Sequence, residues 1–144
     1  MSAATGKLLL YVEDDPDYAD LVLLCLSKHA LPARVVHCID GEAALDYLRR
    51  SGSVEEPRPR LILLDLRLPR VDGFEVLREV KSSPDLADIP VVVLTTSSSR
   101  TDVARTYRDH VNSYLVKPDD YAELDALLKE LGHYWLVSNT VPPP

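Results

Sequence analysis

The chain has 144 residues, of which 46% are hydrophobic and 27% charged, and its formal net charge is −7. This length and composition suit one globular domain with a buried core, while the acidic charge argues against a nucleic-acid partner. No apolar stretch of the sequence approaches the ~20 residues that span a bilayer, and the first residues lack signal-peptide features. We therefore expect a cytoplasmic protein with no membrane partner, in which Cys25 and Cys38 are buried core residues.

Short apolar, β-branched runs alternate along the chain with amphipathic stretches, which predicts alternating strands and helices. The apolar runs are continuous and do not alternate with polar residues, so we expect all five strands to be buried on both faces. The predicted strands cover residues 7–12, 34–39, 60–64, 90–95 and 113–116. The predicted helices cover residues 16–29, 41 to about 52, a stretch that starts at 72, 99–110 and 119–131.

Two helix starts carry capping signals. Asp15 has the character of an N-cap with Pro16 at the first helical position, and Asp72 and Glu75 have capping-box spacing. The strict alternation of elements predicts an α/β fold, a (βα)5 doubly wound parallel sheet with right-handed crossovers. We expect an N-terminal extension at 1–6, one domain at 7–132, and a C-terminal extension with a proline-rich tail at 133–144.

Charged residues follow three of the predicted strands. Glu13 and Asp14 come directly after the first, Asp65 after the third and Lys117 after the fifth. Ligands bind beyond the carboxyl ends of the strands in such folds, so these side chains are expected to meet. A cluster of carboxylates favours Mg²⁺, or Mn²⁺, and we expect Asp14 and Asp65 to be direct ligands with Glu13 acting through water.

The same group of residues suits phosphoryl chemistry. A carboxylate can act as a nucleophile toward phosphorus, and we expect this role for Asp65 at the end of the central strand. The Lys117 ammonium would neutralise the oxygens of the phosphoryl group, and the Thr95 hydroxyl would bond one more of them.

With these residues in place, the chain resembles the receiver domain of two-component response regulators over about residues 7–131. The matching segments are Val12-Glu13-Asp14, Leu64-Asp65-Leu66-Arg67-Leu68-Pro69, Asp72-Gly73-Phe74, Ile89-Pro90-Val91-Val92-Val93-Leu94-Thr95-Thr96 and Tyr114-Leu115-Val116-Lys117-Pro118. The resemblance implies a flavodoxin-like sheet in the strand order 2-1-3-4-5. It also implies that Asp65 accepts a phosphoryl group from a histidine kinase.

The resemblance assigns roles to further residues. The backbone carbonyl of Arg67 would be the third protein ligand of Mg²⁺, and the bond before Pro118 would be cis. Thr96 lies at a position that controls access of water to the acyl phosphate, as does Arg67, and we hypothesise that Arg67 slows hydrolysis. Thr95 and Tyr114 would form a two-state switch, in which the aromatic ring turns inward as Thr95 moves toward the phosphoryl group.

A narrower resemblance is to small regulators that consist of one receiver domain and partner phytochrome histidine kinases. It rests on the sequence 12–16, on Thr95-Thr96-Ser97, and on Trp135-Leu136 before the proline-rich tail. It implies a phosphoacceptor protein that catalyses only its own phosphoryl transfer and slow dephosphorylation, and is otherwise not an enzyme.

Two alternatives remain open. A phosphatase of the haloacid-dehalogenase type also forms an aspartyl phosphate, but it needs a second acid two residues after the nucleophile, where this chain has Arg67. A degenerate receiver would act only as a binding module, which the full set of site residues argues against.

Two helices offer candidate partner surfaces. In the first, Tyr18, Leu21, Val22 and Cys25 share one face and are expected to be core, leaving Leu23 and Leu24 exposed as a docking patch for the kinase. In the last, one apolar stripe is expected to pack on the sheet, and the surplus apolar surface predicts a two-fold homodimer through the fourth and fifth helices. The stripe comprises Leu124, Leu128, Leu131 and Trp135, flanked by Tyr121, Leu127 and Tyr134.

Overall fold

The computed structural model describes residues 7–143, so the predicted extension at 1–6 lies outside the described residues. Five strands alternate with five α-helices, as the sequence predicts. The strands are β1 (Leu8–Val12), β2 (Arg34–Cys38), β3 (Leu61–Leu64), β4 (Val91–Thr95) and β5 (Ser113–Val116). The helices are α1 (Pro16–Lys28), α2 (Gly41–Arg50), α3 (Gly73–Ser82), α4 (Arg100–Arg108) and α5 (Tyr121–His133), after which Tyr134–Ser138 forms a π-helical turn.

The strands form one parallel sheet in the order β2-β1-β3-β4-β5, which confirms the doubly wound, flavodoxin-like α/β fold. The chain passes from β1 outward to β2 and then crosses back over β1 to β3, so the direction in which it moves across the sheet reverses. The crevice at this reversal lies beyond the carboxyl ends of β1 and β3, where Glu13 and Asp65 follow their strands.

Only the three central strands are buried throughout, so the expectation that all five are buried on both faces is wrong for β2 and β5. Residues of β1, β3 and β4 are all buried, whereas β2 has one buried residue, Cys38, and β5 has none. The two less buried strands are the edges of the sheet and have a neighbouring strand on one side only. Their apolar composition therefore overstates their burial.

Two hydrophobic clusters cover the two faces of the sheet. One contains side chains of α2 and α3, such as Leu48 and Phe74, packed on Leu10 and Ile62. The other contains side chains of α1 and α5, and the predicted stripe of α5 packs there through Leu124, Leu128 and Leu131. Both cysteines are buried and unbridged, as expected.

The predicted caps form. The Asp15 side chain accepts hydrogen bonds from the first turn of α1, in which Pro16 is the first residue. The Asp72 side chain accepts one from the backbone N–H of Glu75 at the start of α3. These caps fix where each helix begins, directly beyond the strand ends that carry the acidic residues.

The orientation of α1 differs in part from the prediction. Val22 and Cys25 are buried and Leu24 is 54% exposed, as expected, but Leu21 is 41% exposed and Leu23 packs against the core. The buried face is completed by Ala19 and Leu26 instead. A helix of 3.6 residues per turn places positions three, four and seven apart on one face, and the set centred on Val22 excludes Leu21.

The chain continues beyond the predicted end of the last helix. The π-helical turn after α5 buries Leu136 and leaves Tyr134 exposed. Lys7 donates a hydrogen bond to the Leu136 carbonyl and Arg60 donates one to the Asn139 carbonyl. Within the described residues, no helix is long and apolar enough to cross a bilayer.

Candidate functional site

Three carboxylates converge where the chain leaves β1 and β3. One oxygen from each of Glu13, Asp14 and Asp65 lies within 4.8 Å of the others. Glu13 and Asp65 are buried, while Asp14 is exposed. Hard oxygen donors around a space that is open on one side fit a divalent cation that keeps several waters, so these residues could hold Mg²⁺ or Mn²⁺.

Lys117 reaches into the acidic cluster from the end of β5. Its Nζ lies 2.7 Å from Glu13 Oε1, in an ion pair, and 3.2 Å from Asp65 Oδ2, to which it donates a hydrogen bond. Burial alone would lower the pKa of Lys117, but the two carboxylates raise it above its ordinary value. The ammonium therefore stays charged beside Asp65.

Glu13 sits in a less favourable environment than its partners. Burial is the main cause that raises the pKa of Glu13; Lys117 and the backbone N–H of Asp15 lower it, the charge of Asp65 raises it, and together these effects bring it to about 7. One ammonium does not fully compensate three carboxylates, and a bound divalent cation would remove the remaining repulsion. This imbalance is an independent indication that the cluster suits a metal ion.

The Asp65 carboxylate and the loop after it are held in place by backbone contacts. Its Oδ1 accepts a hydrogen bond of 2.8 Å from the N–H of Leu66, and its own N–H donates to the Val12 carbonyl. At Gly73, the first residue of α3, an added Cβ would lie 2.1 Å from the Asp65 carbonyl oxygen. Only glycine therefore allows α3 to approach this loop so closely.

The two threonines at the end of β4 have different environments. Thr95 is fully buried, and its hydroxyl is one of the buried side-chain groups without a hydrogen-bond partner among residues 7–143. The backbone N–H of Lys117 donates a hydrogen bond of 2.7 Å to the Thr95 carbonyl, and this bond joins the ends of β4 and β5. Thr96 is exposed. A buried hydroxyl without a partner is available to bond an incoming ligand.

Tyr114 on β5 contacts the loop that follows β4. It is partly buried, and its hydroxyl donates a hydrogen bond of 2.8 Å to the Ser97 carbonyl. The tyrosine is thus connected through the β4–α4 loop to Thr95, its expected partner in the switch, two residues before Ser97.

The bond between Lys117 and Pro118 is trans, because none of the peptide bonds within the described range is cis. The expectation of a cis bond is therefore wrong. The trans form of an X–Pro bond is favoured intrinsically by about 0.5–1 kcal/mol. Lys117 makes both of its carboxylate contacts with the bond in this form.

Contacts of three residues near the site, Tyr18, Ser97 and Asp102, were not predicted from the sequence. The Lys117 ammonium lies 4.3 Å from the centroid of the Tyr18 ring, although the sequence assigns Tyr18 only to the core. Asp102 of α4 accepts hydrogen bonds from Arg67 and Ser97. Tyr18 was detectable from its place in the first turn of α1, directly after the acidic residues, whereas no sequence signal connects Arg67 with Asp102.

Comparison with known proteins supports one family. The family model for the response regulator receiver domain matches residues 9–129 of the chain. The chain is 46% identical over all 144 residues to the probable methanogenesis regulatory protein FilR2 of Methanothrix harundinacea, of which it covers 93%. It is 43% identical over 137 residues to response regulator Rcp1 of Synechocystis, covering 94% of this chain and 93% of the relative.

Solved structures agree with this assignment. The Mn²⁺-bound form of Rcp1 matches with a TM-score of 0.87 and 43% identity over 95% of this chain and 99% of that chain. The phosphorylated cyanobacterial phytochrome response regulator RcpA matches with a TM-score of 0.87 and 41% identity over the same shares. The range that the family model matches includes β2 to β5, all of β1 except its first residue, and the acidic cluster, and the chain belongs to the response regulator receiver family of two-component signalling proteins.

Proposed function

We propose that Asp65 is the phosphoacceptor of this response regulator and receives its phosphoryl group from a histidine kinase. The observation that carries the proposal is the placement of a buried Asp65 carboxylate between two further carboxylates and the Lys117 ammonium. The backbone N–H of Leu66 donates a hydrogen bond to Asp65 Oδ1, and the Lys117 ammonium donates one to Oδ2. We assign this function to residues 7–132 and regard 133–144 as an extension.

The transfer forms a bond between an Asp65 oxygen and phosphorus and breaks the bond between phosphorus and the histidine nitrogen of the kinase. The electron pair of the broken bond stays on the imidazole, which takes up a proton. Lys117 neutralises charge on the transferred group, and the unpartnered hydroxyl of Thr95 donates a hydrogen bond to it, with Thr96 as a further donor at the mouth of the site.

The acidic cluster supplies the metal dependence of this reaction. Asp14, Asp65 and the backbone carbonyl of Arg67 would hold Mg²⁺ or Mn²⁺ directly, and Glu13 would act through water. A divalent cation bound there offsets the negative charge of the phosphoryl oxygens. The relative Rcp1 has been solved with Mn²⁺ bound, which supports this choice of cofactor.

The response to phosphorylation would start at Thr95 and Tyr114. When the Thr95 hydroxyl turns to the phosphoryl group, the β4–α4 loop follows, and the Tyr114 hydroxyl loses its present bond to the Ser97 carbonyl. The protein catalyses only this transfer and the slow hydrolysis of the aspartyl phosphate, which restores the Asp65 carboxylate and releases inorganic phosphate. The phosphatase alternative lacks support, because the position of the required second acid is occupied by Arg67.

Phosphorylation by a small donor tests the assignment of Asp65. Incubation with acetyl phosphate and Mg²⁺ should add one phosphoryl group to the wild type, detected by intact mass spectrometry, and chelation should abolish the addition. Asp65→Asn should not react. The matched control is Asp72→Asn, which removes the same charge but leaves an equally good helix N-cap and should react normally. Labelling of Asp65→Asn at the wild-type rate would refute the proposal.

We also propose a phytochrome histidine kinase as the partner. RcpA, a phytochrome response regulator, shares 41% identity with the chain over nearly all of its length. Leu24 and Leu21, both exposed on α1, offer an apolar docking surface for the kinase. An autophosphorylated cyanobacterial phytochrome should transfer its phosphoryl group to the chain faster than an unrelated histidine kinase does, and equal rates would contradict this pairing.

Two free thiols suit the reducing cytoplasm as the compartment.

A homodimer through α4 and α5 is the proposed form of the activated protein. Tyr107 on α4, Val116 on β5 and Tyr121 on α5 are large exposed side chains that would be covered in such an interface. Light scattering with and without Mg²⁺ and beryllofluoride, a mimic of the phosphoryl group, should show a monomer becoming a dimer. Val116→Lys should prevent the change, and an unchanged mass in the wild type would mean that the output lies elsewhere.

A further inference from the structure

We propose that Asp102 is a positioning residue that holds the Arg67 guanidinium on helix α4, and that a phosphoryl group on Asp65 competes with it for Arg67. This inference rests on the proposed role of Asp65. It concerns a pair of residues that connects the phosphoacceptor loop to the first turn of α4.

The contacts of Asp102 define the pair. Its Oδ2 lies 2.6 Å from Nη2 of Arg67 and also accepts a hydrogen bond of 2.6 Å from the Ser97 hydroxyl. The Asp102 side chain is 12% exposed and that of Arg67 62% exposed. The carboxylate is therefore the fixed member of the pair, while the guanidinium is mostly exposed to solvent, with a second contact to the Phe74 ring, whose centroid lies 5.4 Å from it.

Arg67 is close in sequence to the site of charge change. It follows Asp65 by two residues in the same loop, so both side chains start from the same short segment. The phosphorylated Asp65 side chain carries about −1.5 to −2 charges at neutral pH in place of the single charge of the carboxylate, and it offers three phosphoryl oxygens as acceptors, whereas Asp102 offers one negative charge. The guanidinium binds such oxygens in a bidentate manner, and the balance between its two partners shifts toward Asp65 on phosphorylation.

Loss of the contact between Arg67 and Asp102 would affect helix α4 and strand β5. Without Arg67, the mostly buried Asp102 carboxylate would keep only the Ser97 hydroxyl as its side-chain partner. The loss of its cation would therefore disfavour the present position of the first turn of α4. Ser97 also accepts the Tyr114 hydroxyl through its carbonyl. The Arg67–Asp102 pair thus opposes, in the unphosphorylated protein, a rearrangement of the β4–α4 loop and of Tyr114.

Beryllofluoride binding in the presence of Mg²⁺, measured by calorimetry on the full chain, tests this competition. Removal of the competing carboxylate should tighten binding, so Asp102→Asn is expected to bind beryllofluoride about 5-fold more tightly than the wild type. Asp102→Ser is measured in parallel, so that a folding defect in one variant leaves the other. Asp109→Asn is the matched control, because it removes a charge at the other end of α4 that faces Arg78, and its affinity should be unchanged.

The gain must depend on Arg67. In an Arg67→Ala background, Asp102→Asn should no longer change the affinity, because no guanidinium is left to compete for. Unchanged or weaker binding by both Asp102 variants, or an equal gain without Arg67, would overturn the proposal while leaving Asp65 as phosphoacceptor. A wild type that does not bind beryllofluoride would overturn the phosphoacceptor assignment itself and the competition with it.

Discussion

The proposed role of the Thr95 hydroxyl in binding the phosphoryl group conflicts with stability. The hydroxyl is buried without a hydrogen-bond partner among the described residues, and such a group costs about 1–3 kcal/mol. We predict that Thr95→Val raises the free energy of unfolding by about 1 kcal/mol and weakens beryllofluoride binding. Urea denaturation and calorimetry measure the two effects. Thr106→Val is the control, because the equally buried Thr106 hydroxyl donates to the Val103 carbonyl and its removal should destabilise.

Tyr18 is predicted to hold Lys117 in position through its ring. The ammonium lies 4.3 Å from the ring centroid, and a cation–π contact of this kind contributes about 0.5–2 kcal/mol. Tyr18→Leu should therefore slow phosphorylation by acetyl phosphate about 3- to 10-fold. Tyr18→Phe keeps the ring and removes a hydroxyl that has no partner in the described structure, so its rate should stay near that of the wild type. Equal rates for the two variants would argue against the contact.

The residues of the site differ in how far the sequence alone identifies them. Glu13, Asp14, Asp65 and Lys117 each directly follow a strand, and the topology of a parallel sheet brings such positions together whatever the loops do. Asp102 occupies no such position. Its contact with Arg67 depends on how the start of α4 sits over the loop after β3, which is a matter of tertiary packing that local sequence does not encode.

At the scale of elements, Lys81 joins the end of α3 to the start of β4. Its ammonium donates hydrogen bonds to the carbonyls of Ala87 and Ile89 and to the Asn112 side chain. Burial lowers the pKa of Lys81 below its ordinary value of 10.5. The folded state therefore binds fewer protons than the unfolded state in the window between the lowered pKa and 10.5, and this contribution to stability rises with pH.

A Lys81→Met variant separates these effects. It removes the Lys81 donor from the Ala87 and Ile89 carbonyls, whereas the Asn112 oxygen still accepts from the Val91 N–H, and it should lose about 1–2 kcal/mol of unfolding free energy at neutral pH. It also lacks the titrating group, so the difference in unfolding free energy between wild type and variant should grow as the pH is raised toward 10.5. Urea denaturation at several pH values measures both. A difference that shrinks with rising pH would contradict the direction of the pKa shift.

Elements were predicted reliably where one signal dominates. Asp15 with Pro16, and Asp72, mark two helix starts that the structure confirms, because a capping side chain acts through local backbone contacts. The predictions that β2, β5 and Leu21 are buried were wrong, because burial at these positions depends on which elements are neighbours. The apolar composition of a strand indicates that it packs against the core. The strand order determines whether it has a neighbouring strand on one side or on both, and composition does not reveal that order.

For the whole molecule, the alternation of strands and helices is sufficient to predict a parallel, doubly wound sheet, since crossovers between parallel strands are right-handed and require helices. The strand order came from the resemblance to receiver domains, because nothing in the alternation itself distinguishes 2-1-3-4-5 from other orders. The packing of the segment after α5 was not predicted at all. It lies at the amino-terminal end of β1, where Lys7 contacts the Leu136 carbonyl.

This segment is predicted to contribute to stability without affecting the chemistry. Leu136 is fully buried in the cluster formed with α1 and α5, and replacing a buried leucine by alanine costs about 2–5 kcal/mol. Leu136→Ala should lower the free energy of unfolding by that amount, whereas Val137→Ala, at a 46% exposed position, should change it little. Urea denaturation measures both variants.

The rate at Asp65 distinguishes a stabilising segment from a functional one. Leu136 packs near the amino-terminal ends of the strands, whereas Asp65 directly follows the carboxyl end of β3. The two residues therefore lie at opposite ends of the sheet. Folded Leu136→Ala should therefore accept a phosphoryl group from acetyl phosphate at the wild-type rate, measured well below its unfolding temperature. A slower rate in the fully folded variant would mean that the segment after α5, which hydrogen-bonds Lys7 directly before β1, is coupled through the sheet to the acidic cluster beyond the other end of the strands.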